Sequence, residues 1–348
     1  MIYHNTEPKP IFAIHLNGKD ITGRLDDRLE SLTITDNRGG EADQLDIVLQ
    51  DHDGLLEIPP RGAELSISIG WEETGLINKG SYKIDEVEHS GSPDKLTLRG
   101  RSAEMNGSLN LKRERSFHGK VLGDIVATIA KQNKLKSKIS PSLAKKNVAH
   151  IDQTNESDMN LLTRLGDQFD AIVTVKEGHL LFMPTGHGET VSGKPMPAIT
   201  ITRSSGDSHR ISIADRENYT AVKANYQNTK GAKQGAVTYD KNGKTEKAPE
   251  GNIKILRHTY ASKATAERAA RSNWAKLQRG VAEFSINLAR GRPDLMPEMP
   301  ARVSGFKPMV DDAEWIISKV THTLSETGLG TSLELEVRLE KLADDDEE

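Results

Sequence analysis

The strongest constraint on the fold comes from the run near the C-terminus, Leu-Glu-Leu-Glu-Val-Arg-Leu-Glu. Leu333, Leu335, Val337 and Leu339 alternate there with Glu334, Glu336, Arg338 and Glu340. A strict period of two gives one apolar and one polar face only on an extended strand. The same alternation recurs in Phe12, Ile14 and Leu16, in Leu45, Ile47 and Leu49, and in Leu65, Ile67, Ile69 and Trp71. It continues through Leu96 and Leu98, and again through Ala282, Phe284, Ile286 and Leu288. Strands therefore occupy both ends of the chain. Asn17-Gly18 supplies a hairpin turn, because both residue types tolerate positive φ. Short strands separated by Gly, Asp and Asn clusters predict a sandwich or small barrel over 11–105. WIISKVTHTL and SLELEVRLEKL, joined through Gly328 and Gly330, predict a second β region.

Between the ends the period changes. Val121, Leu122, Ile125 and Ile129 share one helix face, and so do Leu161, Leu162, Leu165 and Phe169. Ser157 is placed to cap the second helix, and Asp158 suits the positive end of its dipole. AIVTVK and HLLFMP flank Glu177-Gly178, which predicts a hairpin. AITIT, HRISIA and the alternation of Val222, Ala224 and Tyr226 return to strands. Asn242-Gly243 marks a hairpin tip, and the polar stretch 228–251 is expected to be a mobile loop or ribbon. A helix is expected over 262–279, ended by Gly280 in left-handed geometry. GRPDLMPEMP is a proline-punctuated loop. The fold class expected is β-rich α+β. The boundaries expected are 1–110 for a first β domain, 111–197 for a small α/β domain, 198–342 for a second β domain carrying the helix, and 343–348 for a like-charged, disordered tail.

Composition narrows the chemistry. With no cysteine among 348 residues, thiolate metal sites and disulfide frameworks are excluded. The 47 Lys+Arg against 51 Asp+Glu give a formal charge of −4, which supplies no global drive toward nucleic acid or an anionic membrane. Aromatics at 4 % and hydrophobics at 35 % fit an elongated protein, or one that completes its core by oligomerising. No run approaches the roughly 18 apolar residues of a membrane span. The N-terminus has no signal-peptide pattern, so synthesis and first use in the cytoplasm are expected.

No phosphate loop, nucleophile elbow or H-E-x-x-H helix is present. Asp51-His52-Asp53 looks metal-like, but neighbours on an extended chain point to opposite faces, and a loop turn is the favoured reading. Gly206-Asp207-Ser208 with His209 is read as a polar turn rather than a hydrolase centre. Glu86 and Glu88 could share a face as a carboxylate pair would, and a solvated strand face is the favoured reading. Lys263, Arg268, Arg271, Lys276 and Arg279 on the predicted helix are read as a solvated face, with Ala270 and Trp274 packing onto a β domain.

Two signatures go further. Gln153, Glu156, Ser157 and Asp158, followed by Leu161, Leu162, Arg164 and Leu165, resemble the helix start shared by contractile-tail hub proteins and the hub part of type VI secretion spike proteins. Pro293-Asp294-Leu295 through Gly305-Phe306, then Trp315 through Val320 to His322, resemble the corresponding region of the phage late control gene D family. The order of segments matches as well. The resemblance implies two barrel-like domains per subunit, with the small α/β insert and the helix between them. It implies a structural baseplate hub of a contractile phage tail, with no catalytic, cofactor or metal residues. Three copies would form a pseudo-sixfold ring joining the sixfold tail tube to a threefold spike. The partners implied are a homotrimer, a separate spike protein, the tail tube and other baseplate proteins, the tape-measure protein and DNA as passing cargo, with no membrane insertion. The location implied is the virion, after assembly in the host cytoplasm. The chain lacks a long glycine/valine repeat, so the spike is expected to be a separate protein. The alternatives are the hub of an R-type bacteriocin particle, or a tail-tip peptidoglycan hydrolase supported only by Glu86 and Glu88. Within the signatures, Arg164 either pairs with an acidic neighbour or stays solvated. Pro293 and Pro297 shape a loop, and His322 is a packed or hydrogen-bonded strand residue.

Overall fold

The computed structural model describes residues 8–103, 107–213, 219–228, 233–245 and 250–338. The first β region starts with β1 (Pro10–Leu16), which turns through Asn17 and Gly18 into β2 (Lys19–Asp20). The turn residues have φ of 48° and 81°, the left-handed geometry that Asn-Gly accepts at low cost. After the short α1 (Thr22–Leu25) come β3 (Leu29–Asn37), β4 (Gln44–Gln50), β5 (Glu64–Trp71), β6 (Gly75–Ser90) and β7 (Lys95–Ser102). They pair antiparallel in the order β3-β4-β7-β6-β5-β1-β2. The alternating residues Ile14, Leu32, Ile34, Leu45, Ile47, Leu65, Ile67, Ile69, Leu96 and Leu98 all enter one core cluster with Tyr82 and Ile84. The inner face of this barrel-like region thus feeds a single core.

The insert follows. It contains β8 (Lys112–Val121), α2 (Leu122–Gln132), β9 (Lys136–Ile139), α3 (Pro141–Ala144), β10 (Asn147–Ser157), α4 (Asp158–Phe169), β11 (Ala171–Lys176) and β12 (His179–Pro184). β8 and β10 form an antiparallel ribbon, while β11, β12 and β9 form a small mixed sheet. Glu177 and Gly178 make the β11–β12 turn at φ 52° and 71°. The apolar faces of α2 and α4 meet in a second core built on Leu122, Ile125, Ile129, Leu161, Leu162 and Leu165.

The remainder contains two cores. β13 (Ile199–Thr202) and β14 (Gly206–Ile213) lead to a separate four-stranded sheet of β15 (Tyr219–Asn228), β16 (Lys233–Asp240), β17 (Gly243–Thr245) and β18 (Asn252–Tyr260). α5 (Lys263–Arg279) packs Ala266, Ala270 and Trp274 onto Val222, Ala224, Val237 and Tyr239 of that sheet. β19 (Ala282–Leu288), β20 (Pro300–Ser304), α6 (Pro308–Asp311), β21 (Trp315–Ser325) and β22 (Gly328–Val337) then enclose a core of Phe284, Ile286, Trp315, Ile317, Val320, Leu333 and Leu335.

β21 pairs antiparallel with β3 from Lys319 opposite Asn37 to Ser325 opposite Ser31. The two terminal β regions are thereby one continuous 13-stranded sheet. Leu324 and Leu329 reach across that seam into the first core.

Three local expectations are corrected. Gly280 ends α5 at φ −79°, because its amide bonds back to the Lys276 carbonyl without a left-handed step. Gly206-Asp207-Ser208 lies in β14 against β19 and is not a turn. The tip of the ribbon within 228–251 is Lys241-Asn242 rather than Asn242-Gly243, with Gly243 already paired to Asp240. Residues 229–232 and 246–249, together with Leu339, Glu340 and the acidic tail, lie outside the described residues.

Candidate functional site

The first signature is a buried polar knot. β10 opposes Gln153 to Arg115 and Glu156 to Arg113, so it carries one extra residue there. Asn155 at φ 48° lies in this bulge. The kink hands the chain to α4, where the Ser157 hydroxyl accepts from the Asn160 amide at 3.1 Å. Asp158 is completely buried. Its Oδ2 accepts from Arg113 Nε at 3.0 Å and Asn133 Nδ2 at 2.8 Å, and its Oδ1 accepts from Gln153 Nε2 at 2.9 Å and from Arg115 Nη2. Arg115 Nε also donates to Gln153 Oε1 at 2.6 Å. Burial lowers the Arg115 pKa and Asp158 opposes that shift. Arg164 resolves to the paired alternative: it donates to both oxygens of Glu156 and to the Asp152 carbonyl. The motif thus binds ribbon, α2 and α4 into one body, while Leu161 and Leu165 fill the core beneath.

A second charged joint gathers all the regions. Arg38 follows β3, Asp170 follows α4, Arg279 ends α5, Glu336 lies on β22, and Glu298 sits in the loop before β20 at φ 72°. Arg279 donates to both oxygens of Asp170 and lies 3.3 Å from Glu336. Arg38 contacts Glu336 and lies 2.6 Å from Glu298. Glu298 also accepts from the Gly186 amide at 2.7 Å. Burial pushes the Glu298 carboxyl up, against the pull of Arg38 and the Gly186 amide. Burial lowers the Arg279 pKa, but the Asp170 hydrogen bond and charge outweigh it and leave it raised. Arg38, Asp170, Arg279 and Glu336 border a cleft of about 310 Å³, also lined by Thr163, Asp167 and Lys276.

The second signature docks the proline loop onto the first barrel-like region. Trp71 Nε1 donates to the Gly291 carbonyl at 2.8 Å, and Arg290 stacks over the Trp71 ring. Lys79, ion-paired with buried Asp36 at 2.7 Å, reaches the Pro293 carbonyl at 3.4 Å. His322 is fully buried, with Nδ1 2.9 Å from Thr331 Oγ1. Burial first, and the Lys79 charge second, push its pKa down to about 4. Gly305 turns at φ 87°, and its amide donates to Asp311 at the end of α6. Trp315 Nε1 donates to the Val310 carbonyl, and Trp315 shares its core with Val320. The two signatures therefore lie in separate cores.

Most of the other sequence candidates are paired within the fold. Asp53 pairs with Arg28, and Asp51 accepts from the Leu56 amide, in a turn. Glu86 and Glu88 share Arg99 on an exposed strand face. On α5, Arg279 is consumed by the joint. Lys276 pairs with Asp167, and Arg268 stacks on Phe169 and donates to the Asn147 carbonyl. Arg113, Arg115, Asn133, Arg38 and Glu298 carry the joints but were not singled out in the sequence. The only local trace was the Lys-Arg-Glu-Arg alternation of 112–115, which puts two arginines on one strand face.

Comparison with known proteins agrees with this architecture. The family profile described as phage tail baseplate hub (GPD) matches residues 44–328. The chain is 49 % identical to the probable baseplate hub protein of Escherichia phage 186, covering 96 % of this chain and 94 % of that protein. It is 48 % identical to the probable baseplate hub protein of Escherichia phage P2, covering 95 % and 94 %. Its fold resembles the 43 kDa tail protein of prophage MuSo2 from Shewanella oneidensis, with a TM-score of 0.68, 14 % identity and coverage of 94 % and 98 %. A β-rich chain whose signature residues serve as joints, and whose matches run nearly end to end, belongs to the phage tail baseplate hub family.

Proposed function

We propose that this hub works as a non-catalytic homotrimer that adapts the sixfold tail tube to a threefold spike formed by a separate protein. The observation that carries the reading is the β3–β21 seam, which fuses two core-enclosing β regions into one rigid sheet. Two such blocks per subunit let three subunits present six to the tube. Residues 1–110 and 198–342 supply the blocks, and 111–197 is the insert between them. The signature residues Gln153, Glu156, Ser157, Asp158, Leu161, Leu165, Pro293, Gly305, Trp315, Val320 and His322 hold this architecture and carry no chemistry. The tape-measure protein and then DNA pass through the ring. The hub joins other baseplate proteins, is assembled in the host cytoplasm and resides in the virion baseplate. Native mass spectrometry of the protein with its spike, and a reconstruction of the particle, test this. Three copies with both β regions around one axis are expected, and a single copy in the assembled particle overturns it.

A further inference from the structure

The outward face of the β8–β10 ribbon carries a cluster of side chains that none of the joints uses. His118 and His150 are direct cross-strand partners, so both side chains leave the same face. Their rings stack with centroids 4.4 Å apart, and their Nδ1 atoms are 2.9 Å apart. At that distance one nitrogen donates and the other accepts. The roles are set on the far side of His150, where Nε2 lies 2.8 Å from Asp152 Oδ2. An ionised carboxylate only accepts, so His150 carries its hydrogen on Nε2 and keeps a lone pair on Nδ1. Asp152 is held in turn by the Ser116 hydroxyl, its opposite residue on the ribbon.

We propose that His118 Nδ1 and His150 Nδ1 chelate a divalent late transition-metal ion, Cu²⁺ or Ni²⁺, with Asp152 as the positioning residue. Two imidazole nitrogens bound cis at about 2.0–2.1 Å, near 90°, stand about 2.9 Å apart, whereas a tetrahedral ion spreads them to about 3.3 Å. The observed spacing therefore suits tetragonal ions. On binding, the hydrogen on His118 Nδ1 moves through solvent to its Nε2. Both imidazoles stay neutral, and each nitrogen lone pair forms one bond to the metal. Asp152 on His150 Nε2–H reproduces the carboxylate–histidine–metal arrangement that orients a ligand. Among the described residues no group of three or more His, Asp or Glu is placed to hold an ion, so water completes the sphere at this exposed face.

Titration of the full chain with CuCl₂, and separately NiCl₂, by calorimetry in a non-coordinating buffer tests the site. One equivalent is expected, with at least about 100-fold weaker binding in His118→Ala and in His150→Ala. The Cu²⁺ paramagnetic resonance spectrum should show two nitrogen ligands. Asp152→Asn should weaken binding about 10–100-fold while keeping the two-nitrogen spectrum, which separates positioning from ligation. His179→Ala, at a half-buried histidine outside the ribbon, should bind like the wild type. Both alanine variants alter only exposed rings, and circular dichroism of the apo proteins checks that the fold is kept. Equal stoichiometry and affinity in the doubly substituted chain overturns the proposal, as does the absence of binding below millimolar metal.

Discussion

At the scale of single residues, the strongest structural commitments are charges removed from water. Asp158 is fully buried and serves four donors, two of them arginines. Asp158→Ala leaves those guanidinium groups without a counter-charge, and breaking such a pair costs about 3–5 kcal/mol. Urea unfolding should show that loss, and a change under about 1 kcal/mol would contradict the role assigned to the knot. His322 makes a pH prediction. Its folded pKa of about 4 lies below the ordinary value, so the neutral ring is the folded form. Between about pH 6.5 and pH 4 the unfolded chain holds the extra proton. Stability is complete above that window and falls as pH drops through it, by about 3 kcal/mol from this group. His322→Gln should lose less stability than the wild type between pH 7 and pH 4.5, and equal losses would sink the assignment.

At the scale of elements, caps and close approaches decide where strands and helices meet. Ser157 satisfies an amide of the first turn of α4, directly after the β10 bulge. Ser157→Ala should cost about 1 kcal/mol, read as an earlier urea midpoint with an unchanged slope. Gly291 is more constrained. A Cβ there would lie 2.6 Å from the Leu329 carbonyl oxygen, and its own amide donates to that same oxygen at 2.7 Å. Gly291→Ala must therefore move backbone at the start of β22 and should destabilise the fold by about 1–3 kcal/mol. It should also weaken the Trp71 hydrogen bond, visible as a shift in tryptophan fluorescence. β3, β8 and β10 carry mixed polar faces and were not read as strands, whereas the helices α2, α4 and α5, the Asn17-Gly18 and Glu177-Gly178 turns and the strongly alternating strands were legible in the sequence, because periodicity and caps are local. The end of α5 was not, because Gly280 found a backbone partner that made its permitted left-handed geometry unnecessary.

At the scale of the molecule, the seam and the five-residue charged joint make separate cores act together. Arg279→Ala removes a buried cation facing Asp170, Glu298 and Glu336. The expected result is a loss of about 3–5 kcal/mol and, in calorimetry, a single transition splitting as the regions melt apart. A single transition at the wild-type temperature would show that the joint does not couple them. The ring proposed for the hub needs this rigidity, since force passed through a subunit must not be absorbed between its blocks.

Alternation, caps and turn residues determined the β-rich class, the two strand-rich ends and the helical insert, and the two short signatures pointed to the family. Each of those features acts within a few residues. The tertiary structure alone decided that β3 joins β21, and that Arg38 meets Glu336 across 298 positions of chain. It also decided that Arg279 of α5 is buried against acidic partners while Lys263 and Lys276 stay on the exposed face. Such pairings depend on which surfaces are brought together once the cores close, and a buried charge is recognisable only by the partner that folding gives it.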